Sequence, residues 1–372
     1  MTIGIIKELN NKEKRVAATP SSVAKLVKLG ATVLCENGLG DSINISNNDY
    51  EKSGAKISKS RNEILSSSDI ILRIGKPSED EIGLLKKESI YISFLNPFNE
   101  KELIKKFSAQ NISAISMELI PRITRAQKMD ALSSQANLAG YAAVLIAAKE
   151  SQKVFPMQIT AAGTISPARV FIVGAGVAGL QAIATAKRLG ARVDAFDTRP
   201  EVAEQIESLG AKFIKIDLGA TQKTKNGYAK QLSEEQIQKQ RDQMAKVCSV
   251  SDIIITTAQV FGRTAPLIIT DEMIAKMKPG SIIVDMAVES GGNVSGSELN
   301  KTNVVNNVKI IGCESLPSSV AVDASEMYAN NLVNLIKEYW NLETKTFNLN
   351  LDDEIIKSCL VTHGNEIVNE LI

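Results

Sequence analysis

Three glycines with the spacing of a phosphate-binding turn follow a short apolar segment. Gly174, Gly176 and Gly179 form the pattern Gly-x-Gly-x-x-Gly between the β-branched run 169–173 and an alanine-rich helical pattern. In such a turn the first glycine permits the tight bend, the second lets a pyrophosphate touch the backbone, and the third lets the helix pack closely on the strand. The helix N-terminus adds N–H groups and a positive dipole end for the phosphates. These residues predict a dinucleotide site.

A carboxylate follows where the adenosine ribose of such a ligand would lie. Asp197 ends the next apolar strand, and an acid at that point accepts hydrogen bonds from the ribose hydroxyls. Arg199 is of the type that accepts a 2′-phosphate, but Asp197 at the strand end itself favours NAD(H) over NADP(H). A glycine-rich turn that only packs the helix is the structural alternative. Further residues predicted to contact the cofactor are Val177, Ala178, Thr198 and Gln259.

Alternating strands and helices are predicted along most of the chain, which favours α/β architecture with parallel sheets. At 372 residues the chain is long enough for two domains of about 150–200 residues. The strands are predicted at 2–6, 32–36, 69–74, 90–94, 112–116, 169–173, 191–197, 212–216, 251–256, 281–285, 308–312 and 357–362. The helices are predicted at 20–29, 100–108, 130–152, 233–245 and 323–339.

The long helices 130–152 and 323–339 are expected to bridge two domains. We predict two Rossmann-like, doubly wound parallel-sheet domains, of which the first is discontinuous. The first comprises 1–132 plus 326–372, and the second, which binds the dinucleotide, comprises 133–325. The final strand should return to the first sheet.

Composition excludes several other classes of protein. A net charge of +1 and 4% aromatic residues give neither the basic surface nor the stacking platforms of a nucleic-acid-binding protein. No apolar run approaches the roughly 18–20 residues of a membrane span, and no signal peptide is evident, so a protein soluble in the cytosol is expected. No Cys-x-x-Cys pair occurs, so no metal site is predicted, and four cysteines are interpreted as buried hydrophobic residues: Cys35, Cys248, Cys313 and Cys359.

A long polar insertion, 217–246, interrupts the second half of the chain. Gly227 and Tyr228 lie within it and are predicted to contact the cofactor if the insertion closes over it as a lid. A solvated insertion without a binding role fits the composition equally well.

Residues 117–140 closely resemble the family that joins alanine dehydrogenase and the NAD(H)-binding component of the proton-translocating NAD(P)+ transhydrogenase. The resemblance rests on the pattern Pro-Arg-x-x-Arg-Ala-Gln-x-Met-Asp at 121–130 and covers essentially the whole chain. It extends to the segments 14–20, 161–164, 174–179 and 278–285. The resemblance implies that Arg122, Gln127 and Asp130 contact the nicotinamide end of the cofactor and are the catalytic residues. Ser133 is also predicted to contact the cofactor.

The resemblance also implies an activity and partners. It implies the NAD(H)-binding subunit of a Re/Si-specific transhydrogenase, in which hydride passes directly between two nicotinamides held about 3–3.5 Å apart, without an acid or a base. A partner subunit would bind NADP(H), and a membrane-spanning subunit would translocate protons. The chain would then be a homodimer on the cytoplasmic side of the membrane, soluble when alone.

Two alternatives remain for the polar segment and for the activity. Asp130 is also suited to cap the helix that follows it, in a purely structural role.

Alanine dehydrogenase would need a proton-transferring group beside its substrate. Arg15 is suited to hold a carboxylate, but Asn96 occupies the position of that enzyme's histidine and Lys76 is out of register with its lysine. His363, the single histidine, lies outside these motifs.

A non-catalytic, NAD-binding regulatory protein is the third possibility, because such a subunit alone carries only one of the two nicotinamides.

Overall fold

The chain divides into two compact units in a computed structural model that describes residues 1–216, 233–260 and 262–372. Unit 1 comprises Met1–Gln135 and Pro317–Ile372, and unit 2 comprises Ala136–Leu316. Unit 1 is therefore built from two separate stretches of chain.

Most of the predicted strands are confirmed, with ends shifted by a few residues. The described strands are β1 (Thr2–Ile5), β2 (Thr32–Glu36), β3 (Lys56–Ser58), β4 (Ile70–Leu72), β5 (Ile90–Ser93), β6 (Ser113–Ser116), β7 (Gln158–Thr160), β8 (Gly163–Ile165), β9 (Arg169–Val173), β10 (Arg192–Phe196), β11 (Lys212–Phe213), β12 (Ile253–Thr256), β13 (Ile282–Asp285), β14 (Thr302–Val305), β15 (Val308–Gly312), β16 (Trp340–Asn341), β17 (Thr346–Phe347), β18 (Leu360–His363) and β19 (Glu366–Ile367).

The five helices predicted by their ranges and the alanine-rich helix predicted after the glycine turn are all present. The described helices are α1 (Pro20–Lys28), α2 (Asn47–Lys52), α3 (Arg61–Ser67), α4 (Glu79–Leu84), α5 (Lys101–Ala109), α6 (Ala131–Glu150), α7 (Val177–Arg188), α8 (Ala203–Ser208), α9 (Glu234–Cys248), α10 (Asp271–Ala275), α11 (Ala321–Tyr339) and α12 (Glu354–Cys359). Short 3₁₀ helices cover Asp41–Ile43, Met117–Leu119, Thr124–Met129, Pro200–Val202, Val288–Ser290 and Leu316–Val320.

The sheet of unit 1 has the strand order β19-β18-β6-β5-β4-β1-β2-β3. Its strands run parallel from β3 to β6, and β18 joins β6 in the antiparallel direction. The central strand β4 is buried along its whole length, as expected for a parallel sheet covered on both faces.

The sheet of unit 2 has the order β11-β10-β9-β12-β13-β15-β14 and is parallel except for β14. Successive residues of β9 point to opposite faces: Val170 and Ile172 join one core cluster, whereas Phe171 and Val173 join another. Both faces are therefore covered, and the predicted doubly wound fold is confirmed. The strand order reverses between β9 and β12, and in such sheets the ligand crevice lies at the carboxyl ends of the strands at that point.

The prediction of a strand at 357–362 is wrong in its first half. The Asp353 side chain accepts a hydrogen bond from the Ile355 N–H (2.9 Å) and caps the start of α12. Because α12 continues to Cys359, the strand begins only at Leu360. Ile355, Ile356 and Cys359 are buried at helical spacing, and this apolar run is too short for periodicity to separate helix from strand.

An exposed hairpin, β7–β8, was not predicted. All six of its strand residues are exposed, and the adjoining Met157 is 59% exposed. It contains the segment 161–164, which resembles the same family but for which no secondary structure was predicted from the sequence.

The expectation that no segment is long and apolar enough to cross a membrane is also wrong. Among the described residues, α6 passes that test by length and composition, because interspersed Ser, Gln and Asn residues do not outweigh its many apolar ones. The core helix of a soluble protein passes the same test, and Ala142, Ala143 and Ala147 of α6 are buried in the core of unit 2.

The cysteines are free thiols. Cys35, Cys248 and Cys359 are buried, as predicted, and Cys313 is partly exposed. Burial raises the pKa of the Cys35 thiol to about 12, so the thiol is protonated at neutral pH.

Candidate functional site

The glycine turn of unit 2 leads directly from β9 into α7. Gly174 has φ +98°, a left-handed conformation that favours glycine, and a Cβ there would lie 2.6 Å from the Thr257 Oγ1. A Cβ on Gly179 would lie 1.9 Å from the Gly174 carbonyl oxygen, so only glycine lets the helix approach the turn so closely. A Cβ on Gly176 would meet nothing within 4 Å. The backbone before α7 is thus open to a ligand.

The exposure of the turn fits a phosphate-binding role. Gly176 is the N-cap of α7, and Gly176 and Val177 are exposed whereas Ala178 is partly so. Helix N-termini bind anions through their N–H groups and dipole. The residues present therefore fit the pyrophosphate of a dinucleotide.

Asp197 lies immediately after β10 and ties the glycine turn to its own strand. Its carboxylate accepts hydrogen bonds from the Ala175 N–H (2.7 Å) and the Arg199 N–H (2.9 Å). The Arg199 guanidinium also binds both carboxylate oxygens at 3.0 Å. A ribose that binds Asp197 must either share this carboxylate with Arg199 or displace the Arg199 guanidinium from it. Thr198 lies between these two residues and is partly exposed.

A buried polar network, which was not predicted, shapes the loop after β12. Asp285 accepts hydrogen bonds from the Thr256 hydroxyl (3.0 Å) and the Asn293 N–H (3.0 Å). The Asn293 side chain then binds both the N–H (3.0 Å) and the carbonyl oxygen (2.8 Å) of Ala258. Gln259 is next in the chain, and its amide donates to the Met286 carbonyl (3.2 Å). The only signal for this network in the sequence was Asp285, a carboxylate at the end of the predicted strand 281–285.

Helix α6 approaches the glycine turn very closely within unit 2. A Cβ on Gly140 would lie 2.1 Å from the Ala178 carbonyl oxygen in α7. Asn137, one turn earlier, donates to the Gln181 side chain (3.3 Å). The small residues of α6 therefore set the position of the helix whose N-terminus faces the proposed phosphate site.

The predicted nicotinamide residues lie together on one segment of unit 1. Arg122 and Gln127 are exposed around the 3₁₀ helix Thr124–Met129, and Asp130 follows it, partly exposed. Asp130 accepts hydrogen bonds from the Ser133 N–H (2.8 Å) and hydroxyl (2.6 Å), which caps the first turn of α6. The structural role considered for Asp130 is thus present in the molecule, and it also fixes Ser133.

A carboxylate without a basic partner among its described hydrogen bonds lies just before this segment. Glu118 accepts from the Leu95 N–H (3.1 Å), the Asn96 N–H (2.6 Å) and the Ser116 hydroxyl (2.6 Å). The residue as a whole is half-buried, but enclosure of its carboxylate raises the pKa of Glu118 above the usual carboxyl range. The loop after β5 is thereby attached to the start of the polar segment.

The residues relevant to amino-acid oxidation serve local structure. Glu13 binds Arg15 through both carboxylate oxygens (2.8 and 2.6 Å), and Gln135 accepts from the third guanidinium nitrogen (2.8 Å). Lys76 is paired with Glu100. The Asn96 side-chain oxygen accepts a hydrogen bond from the Asn99 side-chain amide (2.9 Å), and the Asn96 backbone has φ +51°.

The remaining predicted residues add no further site. His363 Nδ1 lies 2.9 Å from the Ser113 hydroxyl, on β18, the second strand from the edge of the sheet of unit 1. Gly227 and Tyr228 lie outside the described residues. Within the portion of the chain that the structure describes, no group of three or more His, Cys, Asp or Glu side chains is placed to hold a metal ion.

Two doubly wound α/β units, one with a glycine turn of the type that fits a pyrophosphate, define a class of two-domain nucleotide-binding proteins. The family model of the alanine dehydrogenase/PNT N-terminal domain matches residues 4–139, and that of the C-terminal domain matches residues 143–370. The chain therefore belongs to the alanine dehydrogenase/PNT family.

Known members differ in their similarity to this chain. The protein named as the first part of NAD(P) transhydrogenase subunit alpha in Rhodospirillum rubrum is 45% identical over 376 residues, covering 99% of this chain and 98% of that protein. The crystal structure of transhydrogenase from Sinorhizobium meliloti superposes with a TM-score of 0.89 at 42% identity, covering 99% of this chain and 100% of that one. Alanine dehydrogenase of Methanococcus maripaludis is 27% identical, covering 79% and 74% of the two chains. By its similarity to transhydrogenase subunits, the chain is an oxidoreductase subunit.

Proposed function

We propose that this chain is the NAD(H)-binding subunit of a Re/Si-specific, proton-translocating NAD(P)+ transhydrogenase. The observation that carries the proposal is the turn between β9 and α7, which presents an open glycine backbone and a helix N-terminus beside Asp197. Its similarity to transhydrogenase subunits favours this activity over others in the family.

Two groups of residues are proposed to bind the two ends of the cofactor. Gly174, Gly176 and Gly179 fit the pyrophosphate, and Asp197 fits the adenosine ribose, which favours NAD(H) over NADP(H). Arg122, Gln127 and Asp130 are proposed to orient the carboxamide and ribose of the nicotinamide. When bound, NADH supplies the hydride, so these residues need only position the ring and exclude water. Because the hydride step itself transfers no proton, no acid or base is required of this chain for that step.

The local contacts of Arg15 and Asn96 disfavour alanine dehydrogenase activity. An amino-acid substrate would have to displace Glu13 from Arg15, since the Glu13 carboxylate already binds two guanidinium nitrogens of Arg15 as a bidentate pair. Asn96 cannot accept the proton that amino-acid oxidation releases.

We further propose that the chain acts with an NADP(H)-binding subunit and a membrane-spanning subunit that translocates protons. Two relatives of this chain are named as the first part of a subunit alpha, and such a name describes one portion of a larger assembly. The chain would bind on the cytoplasmic side through those partners. It should fractionate with membranes only when the partner subunits are coexpressed, and a soluble fraction unchanged by them would contradict this.

We also propose that the chain is a homodimer. The hairpin β7–β8 supports this, because two of its strand residues, Ile159 (72% exposed) and Ile165 (44%), and the adjoining Met157 (59%) project apolar side chains into solvent. Exposed apolar groups on a short two-stranded hairpin are typical of an association surface.

A reconstituted assay tests the function. The chain is mixed with an NADP(H)-binding transhydrogenase component, and transfer from NADH to an NADP+ analogue is followed. We expect transfer in the mixture and none with the chain alone, and no turnover with alanine and NAD or with pyruvate, ammonia and NADH. Alanine oxidation would support the rival enzyme, and NADH binding without transfer in the mixture would support a regulatory protein.

A further inference from the structure

The segment with the proposed nicotinamide residues is held by α11, the long helix of the second stretch of unit 1. Asn331 and Asn334 both donate side-chain hydrogen bonds to the carbonyl oxygen of Lys128, at 3.1 and 2.9 Å. Two amide donors on one carbonyl oxygen use both of its lone pairs. The backbone directly after Gln127 is thereby fixed to α11.

Asn331 also binds the chain on the other side of Asp130. Its side-chain oxygen accepts from the Ser134 hydroxyl at 2.7 Å, and the residue is 7% exposed. One buried amide therefore holds both the carbonyl before Asp130 and the hydroxyl after Ser133. The turn between these two points carries Asp130 and the start of α6.

Ion pairs add a second set of contacts around the same 3₁₀ helix. The Lys128 ammonium binds Glu338 at 2.7 Å, and Arg125 binds Asp353 at 2.7 Å. These pairs are partly exposed, and such pairs contribute little to stability. The buried amide contacts of Asn331 are consequently the stronger restraint.

We propose that Asn331, supported by Asn334, is a positioning residue for hydride transfer: it sets the backbone that aims Gln127 and Asp130. This inference rests on the proposed function. Transfer between two rings depends steeply on their separation and angle, and misplacement by about 1 Å can cost about a hundredfold in rate. NADH binding depends mainly on the glycine turn and Asp197 in unit 2. Loss of the Asn331 contacts should therefore lower the transfer rate without a matching loss of NADH affinity.

The most selective variant is Asn331→Asp. It keeps an oxygen to accept from Ser134, but it places a second oxygen against the Lys128 carbonyl, where the wild type has a donor. The matched control is Asn330→Ala, on the neighbouring residue of the same helix, whose side chain binds Glu326 (3.2 Å) and Lys25 (2.6 Å) instead. If Asn331→Asp does not fold, the double variant Ser134→Ala, Asn334→Ala removes one contact from each side of the turn.

Single-turnover transfer from NADH to NADP+, NADH Kd and thermal unfolding are measured for the full chain mixed with an NADP(H)-binding component. We expect Asn331→Asp to slow transfer about tenfold or more while NADH Kd changes less than about threefold, and Asn330→Ala to match the wild type. A wild-type transfer rate in Asn331→Asp, or a rate lost in parallel in both variants, would overturn the inference but not the function. A wild type that binds NADH yet transfers no hydride would overturn both.

Discussion

At the scale of single residues, Asp197 has two functions that the sequence did not separate. It was predicted to bind the adenosine ribose, and in the structure it also joins the Ala175 N–H to the Arg199 guanidinium. Arg199 is therefore held by the carboxylate that disfavours a 2′-phosphate. Nucleotide preference should depend on this pair rather than on Asp197 alone.

Replacing Asp197 with Ala should weaken NADH binding by about 1–3 kcal/mol, the scale of a lost charge-assisted hydrogen bond. It should also release Arg199 to a 2′-phosphate, so NADPH should lose less affinity than NADH or gain some. Titration of both nucleotides by fluorescence measures this. Asp194→Asn, on the same strand, controls for the change in charge. Tighter binding of NADPH than NADH to the wild type would refute the NAD(H) preference.

Glu118 should give the protein a pH-dependent stability. Enclosure raises its folded-state pKa above the unfolded value, so its stabilising contribution is present at low pH and is lost as the pH rises through the folded pKa. As the pH rises from the unfolded-state pKa of about 4.3 through the higher folded-state pKa, the unfolding free energy of the wild type should therefore fall relative to that of Glu118→Gln. Urea unfolding at several pH values measures the difference.

Glu102→Gln is the matched control for this measurement, because Lys105 lowers the pKa of the exposed Glu102 carboxyl and the pH trend should have the opposite sign. A difference between wild type and Glu118→Gln that does not vary with pH would show that Glu118 is not enclosed as described.

Residues whose role depends on local sequence were the most predictable. Gly174 and Gly179 follow from one strand-turn-helix pattern, and their geometry could be inferred from spacing. Glu118 and Asn293 could not, because their hydrogen-bond partners come from distant parts of the chain: Asn96 for one and Ala258 for the other.

At the scale of elements, the close approach of α6 to α7 depends on Gly140. A side chain there would meet the Ala178 carbonyl oxygen, 2.1 Å from an added Cβ. Gly140→Ala should therefore separate the helices and cost about 1–3 kcal/mol of unfolding free energy, as overpacking usually does. It should also weaken NADH binding, because α7 carries the turn.

Gly83→Ala is the control, since Gly83 is also helical and a Cβ there would meet no atom within 4 Å. Alanine at that position should be neutral or slightly stabilising. Equal stability of Gly140→Ala and wild type in urea would contradict the packing described here.

The long helix α11 and the buried strands of unit 2 were predicted well. α11 extends over 19 residues, and strands such as β12 and β13 are continuous, fully buried runs of mostly apolar residues. The short helix α12 and strand β18 share one apolar run, and the cap at Asp353 decides where the helix begins. The hairpin β7–β8 lacks a buried face, so alternation could not reveal it.

At the scale of the whole molecule, the homodimer is a prediction about the surface. If β7–β8 mediates association, Ile159→Ser should shift sedimentation at micromolar protein from dimer toward monomer, because it removes the most exposed apolar side chain of the hairpin. Leu342→Ser, a change at a residue 67% exposed in unit 1, should leave the dimer intact. A wild type that sediments as a monomer would refute the prediction.

The fate of a labelled hydrogen tests the central claim most directly. The chain, mixed with an NADP(H)-binding component, is given NADH that carries deuterium at both C4 positions, and the NADPH formed in ordinary water is analysed by mass spectrometry. Direct transfer between two positioned rings predicts one deuterium in each NADPH molecule, because no protein group takes up the hydride and no solvent proton enters. If the NADPH formed contains only solvent hydrogen, or if no NADPH forms although NADH binds normally, direct hydride transfer by this chain is contradicted.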